Sequence, residues 1–274
     1  MELRFTAGNG AVDTAIKELI DRVGPIRHRA IVREMIIAAL KAGQENPEKA
    51  DLKIMCGTLK EMRYTAKVFG DYRGARKITV FGSARTTPDH PLYRMAMEFG
   101  RKLAAAGFMV ITGGGPGIMQ AANEGAGLEN SFGVGIRLPF EQKSNPVLNG
   151  SPRDIMYKYF FNRKVAFLKE ACAVALFPGG FGTLDEAMEA LTLLQTGKRY
   201  PIPVVLIDQP GDRYWSGKVC QRCFEPVYAH ETACRACGSN DLMPVETESW
   251  EQADARRERG WDNLWKTLGL RRPE

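Results

Sequence analysis

From residue 11 to residue 43, apolar positions fall three and four apart, which predicts two helices broken at Gly24-Pro25. In the second, Ile31, Met35, Ala38 and Ala39 share a face, and Asn46-Pro47 ends it. Leu52, Met55, Leu59, Met62 and Ala66 continue the spacing through a third helix over 48–69. At Lys77 the texture changes. Ile78-Thr79-Val80-Phe81, Phe108–Thr112, Phe132–Ile136, Ala171–Leu176 and Pro203–Asp208 are short, mostly apolar runs of buried-strand type, and Ile155–Tyr159 is a further short strand. Helical patterns lie between them over 91–106, from the 113–117 turn to about Gly127, and over 162–170. Residues 139–152 are polar, hold three prolines and predict a loop bordering a site. Strands alternating with helices imply a parallel sheet covered on both faces. Ligands bind such sheets beyond the strand C-termini. Three glycine-rich turns fall there: 82–83, 113–117 and 179–182.

The third turn carries the most chemistry. Phe177-Pro178-Gly179-Gly180-Phe181-Gly182-Thr183-Leu184-Asp185-Glu186 follows a strand and opens a helix with apolar residues at 184, 187, 188, 191 and 194. Glycines let the backbone approach a ligand closely. The unpaired N–H groups of a helix start suit a phosphate. Asp185 and Glu186 place acids beside that cradle. The same pattern also suits a plain tight turn whose acids complement the helix dipole.

Two common nucleotide motifs are absent. Reading G-x-G-x-x-G from Gly113 puts Ile118 at the third glycine, and from Gly115 it puts Gln120 there. A P-loop fails at Thr192, which stands where Gly197-Lys198 needs an upstream glycine. The formal charge of +6 on 274 residues is too mild to argue for nucleic acid. Arg256, Arg257, Arg259, Arg271 and Arg272 read as a solvated helix face and tail. No run reaches the ~18 apolar residues of a membrane span. Residues 1–10 lack a signal-peptide pattern, so a cytoplasmic protein without membrane attachment is expected.

Pro178-Gly179-Gly180-x-Gly182-Thr183-x-x-Glu186 resembles the signature of the LOG family, often mislabelled "lysine decarboxylase". Asn162-Arg163-Lys164, with Arg163 fifteen residues before Pro178, matches that family's Arg-Lys pair. Gly82-Ser83 and Gly113-Gly114-Gly115-x-Gly117-x-Met119 resemble its other two turns. The resemblance covers about residues 77–215. It implies a modified Rossmann-like, doubly wound α/β fold, a homodimer or larger, and phosphoribohydrolase activity. That activity splits a nucleoside 5′-monophosphate into free base and ribose 5-phosphate, and the resemblance implies a substrate of the AMP or cytokinin riboside monophosphate type. The decarboxylase label would need pyridoxal phosphate on a lysine, and nothing in the chain marks one; no organic cofactor is expected.

The resemblance also assigns roles. Glu186 occupies the acidic position that stabilises an oxocarbenium-like transition state or activates water. Asp185 is the second candidate; many relatives resemble Glu-Glu here, so this shorter acid is a departure. Arg163 orients phosphate or sugar, or keeps Glu186 ionised; its partner Lys164 joins the binding set. Gly179, Gly180, Gly182 and Thr183 hold the 5′-phosphate, while Gly114, Gly115 and Met119 line the base or ribose side. Gly82 and Ser83 face ribose or phosphate, or serve only the turn. No general acid for the departing base is evident. A nucleotide-binding sensor or carrier on the same fold is the alternative; a pure binder needs the glycines but not the Arg163–Glu186 pair.

Six cysteines divide into two groups. Cys56 and Cys172 lie in apolar-periodic segments and are expected to be inert core residues. Cys220-x-x-Cys223 and Cys234-x-x-Cys237, ten residues apart, suit tetrahedral thiolate coordination of a structural zinc ion. Rubredoxin-like iron stays open. The predicted organisation is a helical N-terminal extension (1–76), a Rossmann-like nucleotide-binding domain (77–216), a zinc ribbon (217–247) and a C-terminal helix and tail (248–274).

Overall fold

The computed structural model describes residues 8–45, 48–138, 144–198 and 200–209, with short segments at 218–220, 226–227, 232–233, 238–240 and 242–244. The chain divides into two units, Met1–Lys67 and Val68–Glu274.

In the first unit, α1 (Gly10–Val23) starts where the Asn9 side chain accepts the Ala11 N–H at 3.0 Å. It stops at Gly24, whose φ of 108° an L side chain rarely adopts. α2 (Arg29–Glu45) returns against it, burying Ile37 with Ile16 and Ile20. Arg33 and Asp13 join the pair at 2.6 Å. α3 (Lys49–Gly70) follows. The apolar stripes on α2 and α3 are only partly covered: Ile31, Met35, Met55 and Leu59 are exposed.

The second unit holds a six-stranded parallel sheet in the order β4-β3-β2-β1-β5-β6. Its strands are β1 (Arg76–Phe81), β2 (Phe108–Thr112), β3 (Ser131–Ile136), β4 (Asp154–Tyr157), β5 (Ala173–Leu176) and β6 (Val204–Leu206). Successive side chains alternate between two cores, as a sheet covered on both faces requires. Ile78, Val80 and Val110 pack with α4 (Pro91–Ala105) and α5 (Ile118–Ala126). Phe81, Ile111 and Val134 pack with α6 (Phe160–Glu170), α7 (Phe181–Gln195) and Phe69. This is the expected doubly wound, Rossmann-like architecture.

α4 and α5 approach through glycine. A Cβ on Gly125 would run into the Met97 carbonyl, and one on Gly100 into the Ala122 carbonyl. At the other end of α5, the Ile118 N–H donates to the Ser83 carbonyl, which sets the α5 N-terminus at the end of β1. Chain order runs outward from β1 to β4, then returns to β5 on the other side, so the direction reverses between β1 and β5. A crevice opens beyond the strand ends at such a switch point.

Three expectations change. Cys172 is exposed, not core, because it lies in the turn between α6 and β5, where its N–H donates to the Lys77 carbonyl at 2.7 Å. Cys56 is exposed on α3. β6 is half as long as the apolar run suggests, three residues, with Val205 and Leu206 exposed at the sheet edge. A small antiparallel sheet joins β7 (Lys218–Cys220) to β8 (Pro226–Val227) and β9 (Leu242–Pro244). Cys223, Cys234 and Cys237, the Cys220 side chain, the 139–143 part of the predicted loop and the predicted C-terminal helix lie outside the described residues.

Candidate active site

The three glycine-rich turns meet in one cavity of about 380 Å³ above the switch point. Backbone hydrogen bonds tie them together. The Ser83 N–H donates to the Pro178 carbonyl, and the Ser83 carbonyl accepts from the Ile118 N–H, both at 3.0 Å. Glycine is required where they touch. A Cβ on Gly82 would sit 2.6 Å from Ile118, and one on Gly179 would collide with the Thr183 hydroxyl. The Ser83 hydroxyl accepts the Arg85 N–H at 3.1 Å, so it serves the turn while also lining the cavity.

The second turn is held by side chains that carry no local sequence signal. The Thr112 hydroxyl accepts the Gly114 N–H at 3.0 Å and donates to Asn123 Oδ1 at 2.7 Å. Asn145 donates its backbone N–H to the Gly114 carbonyl at 2.8 Å. Its Nδ2 donates to the Gly115 carbonyl at 3.2 Å and to Asn123 Oδ1 at 3.0 Å. All three side chains are buried, so this network fixes the turn rather than meeting a ligand. The Met119 side chain lies over the turn, its sulfur 2.7 Å from where a Gly113 Cβ would be.

At the third turn α7 begins at Gly180 with no side-chain cap. Gly180, Phe181, Gly182 and Thr183 at that helix start line the cavity, so the positive end of the dipole is turned toward it, the arrangement that suits an anion. Glu186, one turn on, is 2% exposed. Its Oε1 accepts from an Arg163 terminal nitrogen at 3.0 Å. Its Oε2 and Arg163 Nε are buried with no hydrogen-bond partner among the described residues. Burial pushes the Glu186 carboxyl above its usual range, and the Arg163 charge offsets part of that. Arg163 reaches the site from α6, its guanidinium 5.3 Å from the Phe160 and Phe167 ring centres.

Ten of the thirteen residues expected to act or to bind substrate line this cavity: Gly82, Ser83, Gly114, Gly115, Met119, Arg163, Gly180, Gly182, Thr183 and Glu186. Asp185 and Lys164 do not. Consecutive residues of a helix point about 100° apart, so Asp185 turns outward where Glu186 turns in. It is 57% exposed and accepts from Lys164 Nζ at 2.7 Å, while Lys164 also meets Glu189 at 2.9 Å. Gly179 stands behind the lining, under Thr183. Arg85, Ser144 and Met156 join the lining without having been singled out in the sequence. Arg85 lies two residues past a recognised turn, a signal that was present; Ser144 and Met156 come from a polar loop and a short strand with no motif.

Residues 119–236 match the family model described as "Possible lysine decarboxylase". Comparison with curated proteins returned no match. Among solved structures, the structural genomics target TM1055 is 28% identical, with a TM-score of 0.34 over 43% of this chain and 69% of its own. The molybdenum cofactor carrier protein of Chlamydomonas reinhardtii is 25% identical, with a TM-score of 0.37 over 50% of this chain and 79% of its own. DNA processing protein A of Helicobacter pylori, described for its single-stranded DNA binding, is 17% identical, with a TM-score of 0.37 over 49% of this chain and 66% of its own.

Proposed function

We propose that this protein hydrolyses the N-glycosidic bond of nucleoside 5′-monophosphates, releasing free base and ribose 5-phosphate. One observation carries the reading. A buried carboxylate with one oxygen held by an arginine and the other without a partner among the described residues shares a cavity with a helix N-terminus that has no side-chain cap. The helix start takes the 5′-phosphate, assisted by the Thr183 hydroxyl. The ribose then lies against Glu186. As the bond from C1′ to the base breaks, its electron pair leaves with the base and positive charge develops on the sugar. The Glu186 carboxylate stabilises that charge. Water adds at C1′ and gives its proton to Glu186 Oε2; the departing base takes a proton from solvent, and Glu186 returns its own to solvent before the next turnover. Arg163 keeps Glu186 ionised at a pH where burial alone would protonate it.

The matched family description names a decarboxylase. Schiff-base chemistry with pyridoxal phosphate needs a lysine in the site. No lysine lies among the described lining residues, and Lys164 turns away into ion pairs with Asp185 and Glu189.

The same reading includes a homodimer or larger assembly, a cytoplasmic location, and one structural zinc ion held by Cys220, Cys223, Cys234 and Cys237. Among the described residues no helix is long and apolar enough to cross a membrane. The test is incubation of the purified protein with AMP, GMP, CMP, UMP and an N6-prenylated AMP, followed by chromatography of the free base. Nucleotide binding without base release from any of them would replace the hydrolase with a sensor or carrier.

A further inference from the structure

The second glycine turn is fixed from behind by Asn145, which is 3% exposed and does not line the cavity. Every polar group of this residue is engaged. Its backbone N–H donates to the Gly114 carbonyl at 2.8 Å, and its own carbonyl accepts the Leu148 and Asn149 N–H groups, each at 3.1 Å. Its Nδ2 gives one hydrogen to the Gly115 carbonyl and the other to Asn123 Oδ1. Its Oδ1 accepts the Leu148 N–H at 3.3 Å. A residue tied at every group is a fixed point for the turn it holds.

It holds two consecutive carbonyls. The Gly114–Gly115 peptide is trans, and in a planar trans peptide the C=O and the following N–H point in opposite directions. With the Gly114 carbonyl turned back to Asn145, the Gly115 N–H points away from Asn145, and Gly115 lines the cavity. From Gly114 to Pro116 this is the N–H that remains. The Gly114 N–H donates to the Thr112 hydroxyl at 3.0 Å, and Pro116 has none. Among the described residues nothing accepts the Gly115 N–H.

Its place in the cavity decides what it meets. The Ser83 N–H bonds to Pro178 and the Ser83 carbonyl to Ile118, so the first glycine turn lies between the third and the second. In the strand order β2 stands two spacings from β5, roughly 10 Å at ~4.8 Å each. A nucleotide with its phosphate at the α7 start and its C1′ beside Glu186 therefore extends its base toward Gly115.

We propose that Asn145 is a positioning residue that aims the Gly115 N–H at the departing base. This rests on the hydrolase reading above and adds a group that meets the leaving side of the scissile bond. As that bond breaks, its electron pair moves into the base. The Gly115 N–H then bonds to a base acceptor atom on which negative charge builds, until solvent delivers the proton. A donor fixed before the reaction stabilises such charge without reorganising.

The test uses the full chain. Asn145→Ala should lower kcat for adenine release from AMP by roughly 10- to 100-fold, with a smaller rise in KM. It should leave the affinity for ribose 5-phosphate, which has no base, unchanged. Thr112→Val removes a hydroxyl from the same buried network but leaves the Gly114–Gly115 peptide on Asn145, so kcat should stay within a few-fold. In Glu186→Gln protein labelled with ¹⁵N-glycine, AMP should move the Gly115 amide proton downfield and ribose 5-phosphate should not; this holds whether or not Asn145→Ala folds. Equal losses of kcat in Asn145→Ala and Thr112→Val would make Asn145 merely structural and overturn the proposal. So would a loss of ribose 5-phosphate affinity equal to that for AMP, or a Gly115 amide indifferent to AMP. Adenine release by wild type alongside any of those results leaves the hydrolase standing. AMP bound with the Gly115 shift but no adenine formed would overturn the hydrolase and keep the base contact.

Discussion

Arg163→Gln tests the electrostatic heart of the site. The substitution removes a cation 3.0 Å from a carboxylate that is 2% exposed, leaving a buried acid with a neutral neighbour. Two unit charges about 4 Å apart interact by about 4 kcal/mol at an effective dielectric constant near 20. Removing one partner of a buried pair destabilises by about 3–5 kcal/mol. Arg163 keeps 15% of its side-chain surface, so about 3 kcal/mol, the lower end, is expected. The loss should depend on pH. Burial already raises the folded-state pKa of Glu186 above its unfolded value, and Arg163 opposes that rise. A group raised in this way contributes stability at low pH and loses it as pH climbs through the folded value. Without Arg163 the folded value rises further. The variant's deficit should therefore be small in acid, where Glu186 is protonated in both proteins, and grow toward neutral pH. The acid limb of kcat/KM, which reports the free enzyme's base, should move upward. Urea midpoints measured across pH, together with the pH–rate profile, give both readings. A deficit independent of pH, or an acid limb that stays put or moves down, would refute the reasoning.

Further outcomes follow from the same geometry. Asp185→Asn breaks only an exposed pair with Lys164, so it should cost less than about 1 kcal/mol and leave turnover within a few-fold; loss of turnover comparable to that of a Glu186 variant would return Asp185 to the chemistry. Gly125→Ala drives a methyl into the Met97 carbonyl, and thermal melting should show about 1–3 kcal/mol of destabilisation as α4 and α5 are forced apart; an unchanged melting temperature would contradict that close approach. Metal analysis of the purified chain should find about one zinc per protein, retained through dialysis and lost when Cys220 and Cys223 are both replaced by serine; iron in its place, or no metal, would set the zinc assignment aside.

Much of the second unit was legible because its signals are local. Phe108–Thr112 is five residues held between Gly107 and Gly113, and the strand occupies those five. The turn at 179–182 announces itself by composition, and Glu186 faces the cavity as its position in the motif implied. Other features depend on contacts no local pattern records. Asp185 and Glu186 are adjacent and chemically alike, yet a 100° step around the helix separates a surface ion pair from the cavity. Cys172 sits in an apolar run, but that run begins in a turn where Ala171 is buried and Cys172 is exposed. The Asn123–Asn145 bond spans 22 residues, and polar residues that bury one another across such a distance look like ordinary loop and helix positions.

The most direct test of the proposed hydrolysis is base release from AMP by wild type and Glu186→Gln, with AMP binding measured on both. Wild type should release adenine. The variant, which keeps the shape of the side chain but cannot take the water's proton, should lose about 10²- to 10⁴-fold in rate while still binding AMP. Undiminished release by Glu186→Gln, or AMP bound by wild type with no adenine formed, would contradict the role given to Glu186.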